Sequence, residues 1–177
     1  VTGTDISAAE IERARQEATD RQLEVTFRVA DMRDLAATLA PGFDVVIAFD
    51  NALPHLLTND DLHAAARSIY TMLGPEGVFL ASIRDYDALL PEKPGATSHR
   101  VIDTPHGRRI VFQLWDWQGE QYELTQFIVL PGTDGWHLRH YTGTYRALRR
   151  QTLTDALTKV GFREVTWLMP DDSGYYQ

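Results

Sequence analysis

The sequence predicts an α/β fold, with helices on the faces of a parallel sheet and an inserted antiparallel β-ribbon. In the first half, short apolar segments alternate with segments of helical periodicity, in the order β-α-β-short element-β-α-β. This alternation is typical of parallel strands joined by crossover helices. In the second half, long aromatic, β-rich segments are separated only by tight turns, which predicts an antiparallel meander.

The first half begins with a strand end and a capping box. Residues 1–5 read as the end of a strand, and the Ser7 hydroxyl with Glu10 three residues later predicts a helix start. The nearly continuous apolar run over residues 43–49 predicts a strand covered on both faces. Gly74 suits the left-handed position after a helix, and Pro75 cannot continue one. Further strands are predicted over 25–29 and 77–83 (the latter also buried), and a helix over 59–73.

In the second half, ribbon strands are predicted over 108–117, 120–130 and 136–147. Gln118-Gly119 and residues 131–135 form the turns between them. A helix over 152–160, stopped by Gly161, a final strand over 163–169 and a loop over 171–177 complete the chain. We interpret residues 1–177 as one domain, with βα units over 1–84, the antiparallel cap over 100–147 and a C-terminal helix and strand over 148–177.

Composition narrows the class of protein. The 177 residues carry a formal net charge of −8, which argues against a nucleic-acid partner, and no apolar run approaches a membrane span. The chain has no cysteine, and its histidines show no ligand spacing, so we expect no metal site. These features predict a cytoplasmic globular protein with no nucleic-acid or membrane partner, and they leave homo-oligomerisation open.

Acidic and amide side chains follow the predicted parallel strands. In open parallel sheets, ligands bind beyond the carboxyl ends of the strands. Acids at such positions can bind ribose hydroxyls or an adenine amino group. The alternative for each is a helix cap or turn former. The residues at the four strand ends are Asp5, Asp31-Met32, Asp50-Asn51 and Arg84-Asp85.

The order of these segments resembles class I S-adenosylmethionine (SAM)-dependent methyltransferases, from the family's second strand onward. The resemblance rests on residues 1–7, 30–35, 43–46 and 73–77. It implies SAM as cofactor and S-adenosylhomocysteine as product. It also implies that Asp5 holds the ribose, that Asp31 and Met32 bind the adenine, and that Ile6 covers the adenine's other side. Asp50 is expected near the mouth of this cofactor site.

The glycine-rich loop that follows the first strand of this family has no counterpart here. The sequence has twelve glycines, and no two of them are one residue apart. We expect that loop, with the strand before it, upstream of Val1, so that the chain represents a truncated methyltransferase domain.

Two further segments resemble glycine N-methyltransferases and their bacterial glycine/sarcosine relatives. They are residues 50–56 and 82–87. The resemblance implies methyl transfer to the amine of an amino-acid-like acceptor. Arg84 would bind its carboxylate, Asn51 and Tyr86 would have substrate-binding and catalytic roles, and His55 would be catalytic. The group commonly has glycine where this chain has Asp50, which adds negative charge near the acceptor.

Several alternatives stay open. The acceptor could be another small amine or a hydroxyl compound. An NAD-dependent oxidoreductase also has an acid after its second strand, and a non-catalytic SAM-fold protein would share the whole pattern. Arg84 could instead form a structural pair with Asp85, Asp87 or Asp50. The ribbon carries six aromatic residues of note: Trp115, Trp117, Tyr122, Trp136, Tyr141 and Tyr145. We expect most of them to pack the ribbon against the sheet, and one or two of the tyrosines to face a cationic ligand.

Overall fold

The computed structural model describes residues 1–105 and 107–169. The chain divides into two compact units. Unit 1 comprises Val1–Ile47, Asp60–Leu80 and the chain from Gln151, and unit 2 comprises Ala48–Asn59 and Ala81–Arg150. The predicted alternation of strands and helices, followed by an antiparallel ribbon, is confirmed. The interpretation as one domain stays a prediction.

Unit 1 begins with a β-α-β segment. Strand β1 (Thr2–Asp5) pairs in parallel with β2 (Thr26–Val29), and helix α1 (Ala8–Asp20) connects them. The Ser7 hydroxyl accepts a hydrogen bond from the Glu10 N–H at 3.3 Å, as predicted. The reciprocal half of the capping box is absent from the described residues. Asp5 Oδ1 accepts from the Ser7 N–H at 2.7 Å, while Glu10 pairs with Arg13.

A second two-stranded sheet joins β3 (Phe43–Ala48) and β4 (Leu73–Ala81). The expected burial of these strands on both faces is wrong, since Ile47 is 57% exposed and Val78 is 49% exposed. The physical reason is that each strand has one described strand partner, so part of its apolar surface has no neighbour to pack against.

The connection into β4 also differs from the prediction. Helix α2 (Asn59–Met72) is followed directly by the strand, and Gly74 does not have positive φ. The left-handed residue is Glu76, with φ of 62°. The strand begins before the turn that Gly74 was expected to make.

The apolar faces of the helices form the core of unit 1. Apolar residues at helical spacing are buried on each of them, and the buried Ser68 hydroxyl accepts a hydrogen bond from the Leu35 N–H at 2.8 Å. That bond secures the short 3₁₀ helix Met32–Ala37. The buried helix residues are Ile11 and Ala18 on α1, Leu62, Ala65, Ala66, Ile69 and Met72 on α2, and Leu153, Ala156 and Leu157 on helix α4 (Arg150–Val160).

Unit 2 contains the four-stranded antiparallel ribbon. Its strands β5 (Arg100–Thr104), β6 (Gly107–Gln118), β7 (Gln121–Gly132) and β8 (Gly135–Arg146) pair in sequence order. Strand β5 was not among the strands predicted from the sequence. The predicted turn at Gly119 is confirmed, with φ of 66°. Helix α3 (Tyr86–Glu92) and the 3₁₀ helix Leu53–His55 complete the unit.

The end of the chain departs from the expectation. Helix α4 stops at Gly161, with φ of 119°, as predicted. The predicted strand over 163–169 is wrong, because that segment has no ladder partner among the described residues. It is held instead by side chains such as Trp167, whose indole N–H donates to Thr154 Oγ1 at 3.0 Å. The loop predicted over 171–177, and His106, lie outside the described residues. Among the described helices, none is long and apolar enough to cross a membrane.

Candidate functional site

The ends of β3 and β4 position the first site residues in unit 2. Asp50 and Asn51 follow β3 with φ of 55° and 62°, two successive left-handed residues. The Asp50 N–H donates to Ser82 Oγ at 2.9 Å, and the Asn51 N–H donates to the Ser82 carbonyl at 3.1 Å. Asn and Asp tolerate left-handed backbone better than other non-glycine residues. Ser82 therefore fixes the turn that presents Asn51.

Asn51, Tyr86, Tyr122 and Arg84 are joined in a ring of hydrogen bonds. Arg84 can only donate, and its Nη1 donates to the Tyr122 hydroxyl at 3.2 Å. The Tyr122 hydroxyl is then available to donate to the Tyr86 hydroxyl, 2.7 Å away. Tyr86 in turn donates to Asn51 Oδ1 at 3.0 Å, and the Arg84 N–H donates to the same oxygen at 3.2 Å. The ring thus begins and ends on Arg84.

Burial fixes the chemical state of this ring. Asn51 is 3% exposed, and Tyr86 and Tyr122 are each 1% exposed. Desolvation on burial raises the pKa of Tyr86 far above its usual range, and the neighbouring Tyr122 adds to the increase. Tyr86 therefore remains a neutral phenol. It can position groups by hydrogen bonding, but it does not accept a proton as a phenolate.

Arg84 has no acidic partner among the described residues. Its guanidinium carbon lies 4.9 Å from the centre of the Trp115 ring, a cation–π contact. Asp85 and Asp87, which follow Arg84 in sequence, form ion pairs with Arg150 instead. Arg150 Nη1 lies 2.9 Å from Asp85 Oδ1, and Arg150 Nε lies 3.3 Å from Asp87 Oδ2. The structural pairing that the sequence left open for Arg84 is therefore not formed with either acid, and Asp50 forms no ion pair with it.

Aromatic side chains of the ribbon surround Tyr122. Its ring stacks on Trp115 at 4.8 Å and on Tyr145 at 5.4 Å, and Trp117 lies 4.6 Å away. The Tyr145 ring contacts His55 at 4.1 Å. Packing is thus confirmed as the main role of these four aromatics. Trp136 and Tyr141 were expected to pack in the same way, but they are 58% and 60% exposed. Trp136 lies opposite Pro131 and Tyr141 opposite Gln126, so neither has an aromatic cross-strand partner.

Sequence reasoning did not assign Tyr122 to the site. Only the strand register identifies it, because β7 sets Tyr122 opposite Trp117 on one side and Tyr145 on the other. Cross-strand neighbours of this kind approach within about 5 Å. His55, in contrast, was expected as a site residue. It is exposed at the end of its 3₁₀ helix, with its ring against Tyr145.

The residues expected to bind the cofactor lie in unit 1, apart from Asp50. Ile6 is 67% exposed directly after β1. One Asp5 carboxylate oxygen accepts from the Ser7 N–H at 2.7 Å. Asp31 caps the 3₁₀ helix that begins at Met32, accepting from the Arg33 N–H at 2.9 Å. Asp31 is therefore a helix cap, as the alternative interpretation expected. Binding of the cofactor by these residues stays a prediction.

The Asp31 carboxylate also belongs to an ion-pair network. Arg33 Nη2 lies 2.6 Å from Asp31 Oδ2, and Arg33 Nη1 lies 2.7 Å from Asp61 Oδ1. The side-chain hydrogen bond from Arg33 lowers the pKa of Asp31. Asp31 is therefore a carboxylate at neutral pH, the form that accepts hydrogen bonds from an adenine amino group.

Comparisons with known proteins agree with this fold. Residues 1–77 match the methyltransferase domain family. A glycine/sarcosine N-methyltransferase from Aphanothece halophytica is 26% identical over 92 residues, which is 52% of this chain and 35% of that protein. The chain therefore spans about a third of the length of this curated relative.

Solved structures match most of the chain. DesVI of Streptomyces venezuelae has a TM-score of 0.74 at 22% identity, over 92% of this chain and 66% of its own. CalS10, an amino pentose methyltransferase from Micromonospora echinaspora, has a TM-score of 0.73 at 20% identity, over 91% of this chain and 65% of its own. A SAM-dependent methyltransferase from Clostridium acetobutylicum ATCC 824 has a TM-score of 0.73 at 15% identity, over 89% of this chain and 61% of its own. The predicted resemblance to class I SAM-dependent methyltransferases is confirmed in the fold, and residues 1–77 match the methyltransferase domain family.

Proposed function

We propose that this protein transfers the methyl group of SAM to the amine of a small acceptor whose carboxylate is bound by Arg84. The observation that carries the proposal is the state of Arg84. Its half-buried guanidinium is held by Tyr122 and Trp115 and has no acidic partner among the described residues. An enzyme of the methyltransferase type fits the family match and the fold.

The chemistry of Arg84 favours a carboxylate ligand. A partly desolvated charge without a counter-ion is unfavourable, and binding of an anion relieves that penalty. The Tyr122 bond uses one N–H of Nη1. The planar guanidinium carries five N–H donors, so others remain to form two parallel bonds to one carboxylate. Lysine cannot reproduce this paired geometry.

The hydrogen-bond ring orients Arg84 and the acceptor. Methyl transfer from a sulfonium is an in-line displacement, so catalysis depends mainly on alignment and on exclusion of water. We assign positioning roles to Asn51 and Tyr86, whose buried hydrogen bonds fix the backbone and side chain of Arg84. His55 is proposed as a second hydrogen-bonding group beside the reacting nitrogen, with Tyr145 as its ring partner.

For the cofactor, we propose that Asp5 binds the ribose hydroxyls and that Asp31 with Met32 binds the adenine. Asp5 uses one carboxylate oxygen in its turn with Ser7, which leaves acceptor sites on the other. The Ile6 side chain is exposed and apolar, as a cover for the adenine ring requires. SAM supplies the transferred methyl group, and Asp50 is proposed to lie beside the mouth of its site.

The experiment compares Arg84→Lys with Arg139→Lys, an exposed arginine on β8. Methyl transfer from SAM to sarcosine, to glycine and to an amino sugar would be followed by mass spectrometry. We expect Arg84→Lys to raise KM for the amino acids about tenfold or more, because the paired bonds are lost, and Arg139→Lys to leave KM unchanged. The melting temperature of both variants should stay close to that of the wild type. If the enzyme methylates an amino sugar but neither glycine nor sarcosine, the proposed role of Arg84 is wrong, while the methyltransferase proposal still holds.

A further inference from the structure

We infer that Asp50 is a specificity-determining residue that binds the protonated amine of the acceptor as it enters the site, so that Asp50 and Arg84 together select zwitterionic substrates. The amine must then lose that proton to solvent before its lone pair forms a bond to the methyl carbon and the bond between that carbon and the SAM sulfur breaks. This inference rests on the proposed function and goes beyond it. It assigns Asp50 to the acceptor in addition to the neighbourhood of the cofactor. It also names the substrate class, a small molecule that carries a cationic amine beside its carboxylate.

Asp50 and Arg84 lie at the ends of adjacent strands. Asp50 follows β3 and Arg84 follows β4, and the Ser82 N–H donates to the Ala48 carbonyl at 3.1 Å where the two segments meet. Adjacent strands lie about 4.8 Å apart. Opposite charges are thus placed on neighbouring chain segments at one edge of the sheet, both within unit 2.

Neither charge is neutralised within the described part of the chain. The Asp50 carboxylate forms no hydrogen bond and no ion pair there, and its backbone N–H is the group that contacts Ser82. Both charges nevertheless act on one hydroxyl. Burial raises the pKa of Tyr145, the positive charge of Arg84 opposes that increase, and the negative charge of Asp50 adds to it. The two charges therefore act on the same group, although they form no ion pair with each other.

A hydrogen bond holds the backbone of Asp50 in one conformation. Its φ of 55° belongs to the left-handed region, where a glycine would fit with less strain. The hydrogen bond from its N–H to Ser82 Oγ holds that conformation at 2.9 Å. Asp50 is exposed, so its charge is accessible to a ligand, and its place on the segment beside Arg84 points to a cationic group of the acceptor as its partner.

The expected selectivity follows from charge. A ligand with only a carboxylate would meet attraction at Arg84 and repulsion at Asp50. A ligand with both groups would be attracted at both. An α-amino acid or its N-methyl derivative holds the two charges a few ångströms apart, a distance that suits charged groups at the ends of adjacent strands.

The test compares wild type, Asp50→Asn and, as a matched control, Asp116→Asn in the full chain. Asp116 is an exposed aspartate on β6 of the same unit. Binding of sarcosine and of acetate would be followed by the change in tryptophan fluorescence, because Trp115 contacts Arg84. Sarcosine and acetate share a carboxylate, and only sarcosine carries an amine. Asp50→Gly, which fits the same φ, serves as a second variant if Asp50→Asn folds poorly.

We expect wild type to bind sarcosine at least tenfold more tightly than acetate. Asp50→Asn should remove that preference by lowering the affinity for sarcosine at least tenfold. The affinity for acetate should stay the same or increase, because a repulsive charge is gone. Asp116→Asn should behave as wild type. A purely structural role for Asp50 predicts that both ligands weaken together, and this result would overturn the inference.

The remaining outcomes separate the inference from the proposed function. If wild type binds the two ligands alike, or if Asp50→Asn changes neither, the inference fails while Arg84 keeps its role. If wild type binds neither ligand, both the carboxylate role of Arg84 and the role of Asp50 are wrong. If Asp50→Asn lowers affinity for SAM and spares sarcosine, Asp50 serves the cofactor alone and the inference is overturned.

Discussion

Replacing Tyr122 with phenylalanine tests whether the buried hydrogen-bond ring stabilises unit 2. The substitution removes one oxygen atom and leaves the aromatic ring with its stacking against Trp115 and Tyr145. The lost hydroxyl bonds the Tyr86 hydroxyl at 2.7 Å and accepts from Arg84 Nη1 at 3.2 Å. It is almost fully buried, with 1% of the residue exposed.

The magnitude follows from these two bonds. A neutral hydrogen bond contributes about 1 kcal/mol net, and one to a charged donor contributes about 1.5–3 kcal/mol. Two compensations reduce the sum. Tyr86 keeps its bonds with Asn51, and the half-exposed Arg84 can recover a bond to water. We therefore expect Tyr122→Phe to lower the free energy of unfolding by about 2 kcal/mol, which for a chain of this size corresponds to roughly 4–8 °C in melting temperature.

Urea unfolding followed by circular dichroism would measure this change, with Tyr145→Phe as the matched control. Tyr145 stacks in the same aromatic group, and its hydroxyl forms no hydrogen bond within the described residues. The control should therefore change stability by less than about 0.5 kcal/mol. Equal effects in the two variants, or no effect of Tyr122→Phe, would show that the ring does not contribute to stability as argued.

Two further predictions concern unit 1. Gly161 and Gly42 have nearly equal φ, 119° and 116°, so alanine should be strained alike at both. A Cβ at Gly161 would lie 2.8 Å from Tyr70 Cζ, whereas nothing lies within 4 Å at Gly42, so Gly161→Ala should be less stable than Gly42→Ala by about 1–3 kcal/mol in urea unfolding. Arg33→Gln tests the lowered pKa of Asp31. A lowered pKa stabilises the fold above the ordinary value of 3.8 and loses that effect as pH falls, so wild type should be more stable than the variant at pH 7, and the difference should shrink below about pH 3.8. A gap that stays constant down to pH 2 would contradict this coupling.

Local sequence signals predicted the elements of the fold well where the interactions are local. The Ser7 cap, the inward stripe of α2 and the turn at Gly119 depend on residues within one or two turns of chain. Burial of β3 and β4 depends on which strands pack beside them, and an apolar run cannot report that. The predicted strand over 163–169 failed for the same reason, because a strand exists only where a ladder partner does.

The candidate site divides in the same way. Family resemblance identified Asn51, Arg84 and Tyr86, and the structure joins all three through hydrogen bonds. It did not identify Tyr122, which reaches the ring from a ribbon strand 36 residues beyond Tyr86. The register of an antiparallel ribbon depends on turn lengths and side-chain pairing along its whole course. No single motif could therefore have shown which of the ribbon aromatics meets Arg84.

The unpaired state of Arg84 depends on an interaction that is distant in sequence. Asp85 and Asp87 follow it closely on the chain, and the sequence left a local ion pair open as an alternative. Asp85 instead accepts from the Ala88 N–H at 3.3 Å as the cap of α3, and Arg150 pairs with both acids, 65 and 63 residues later. The ion pairs of Arg150 therefore affect the surroundings of Arg84. Because Arg150 pairs with these two acids, Arg84 has no acidic partner among the described residues, as the proposed role of Arg84 requires.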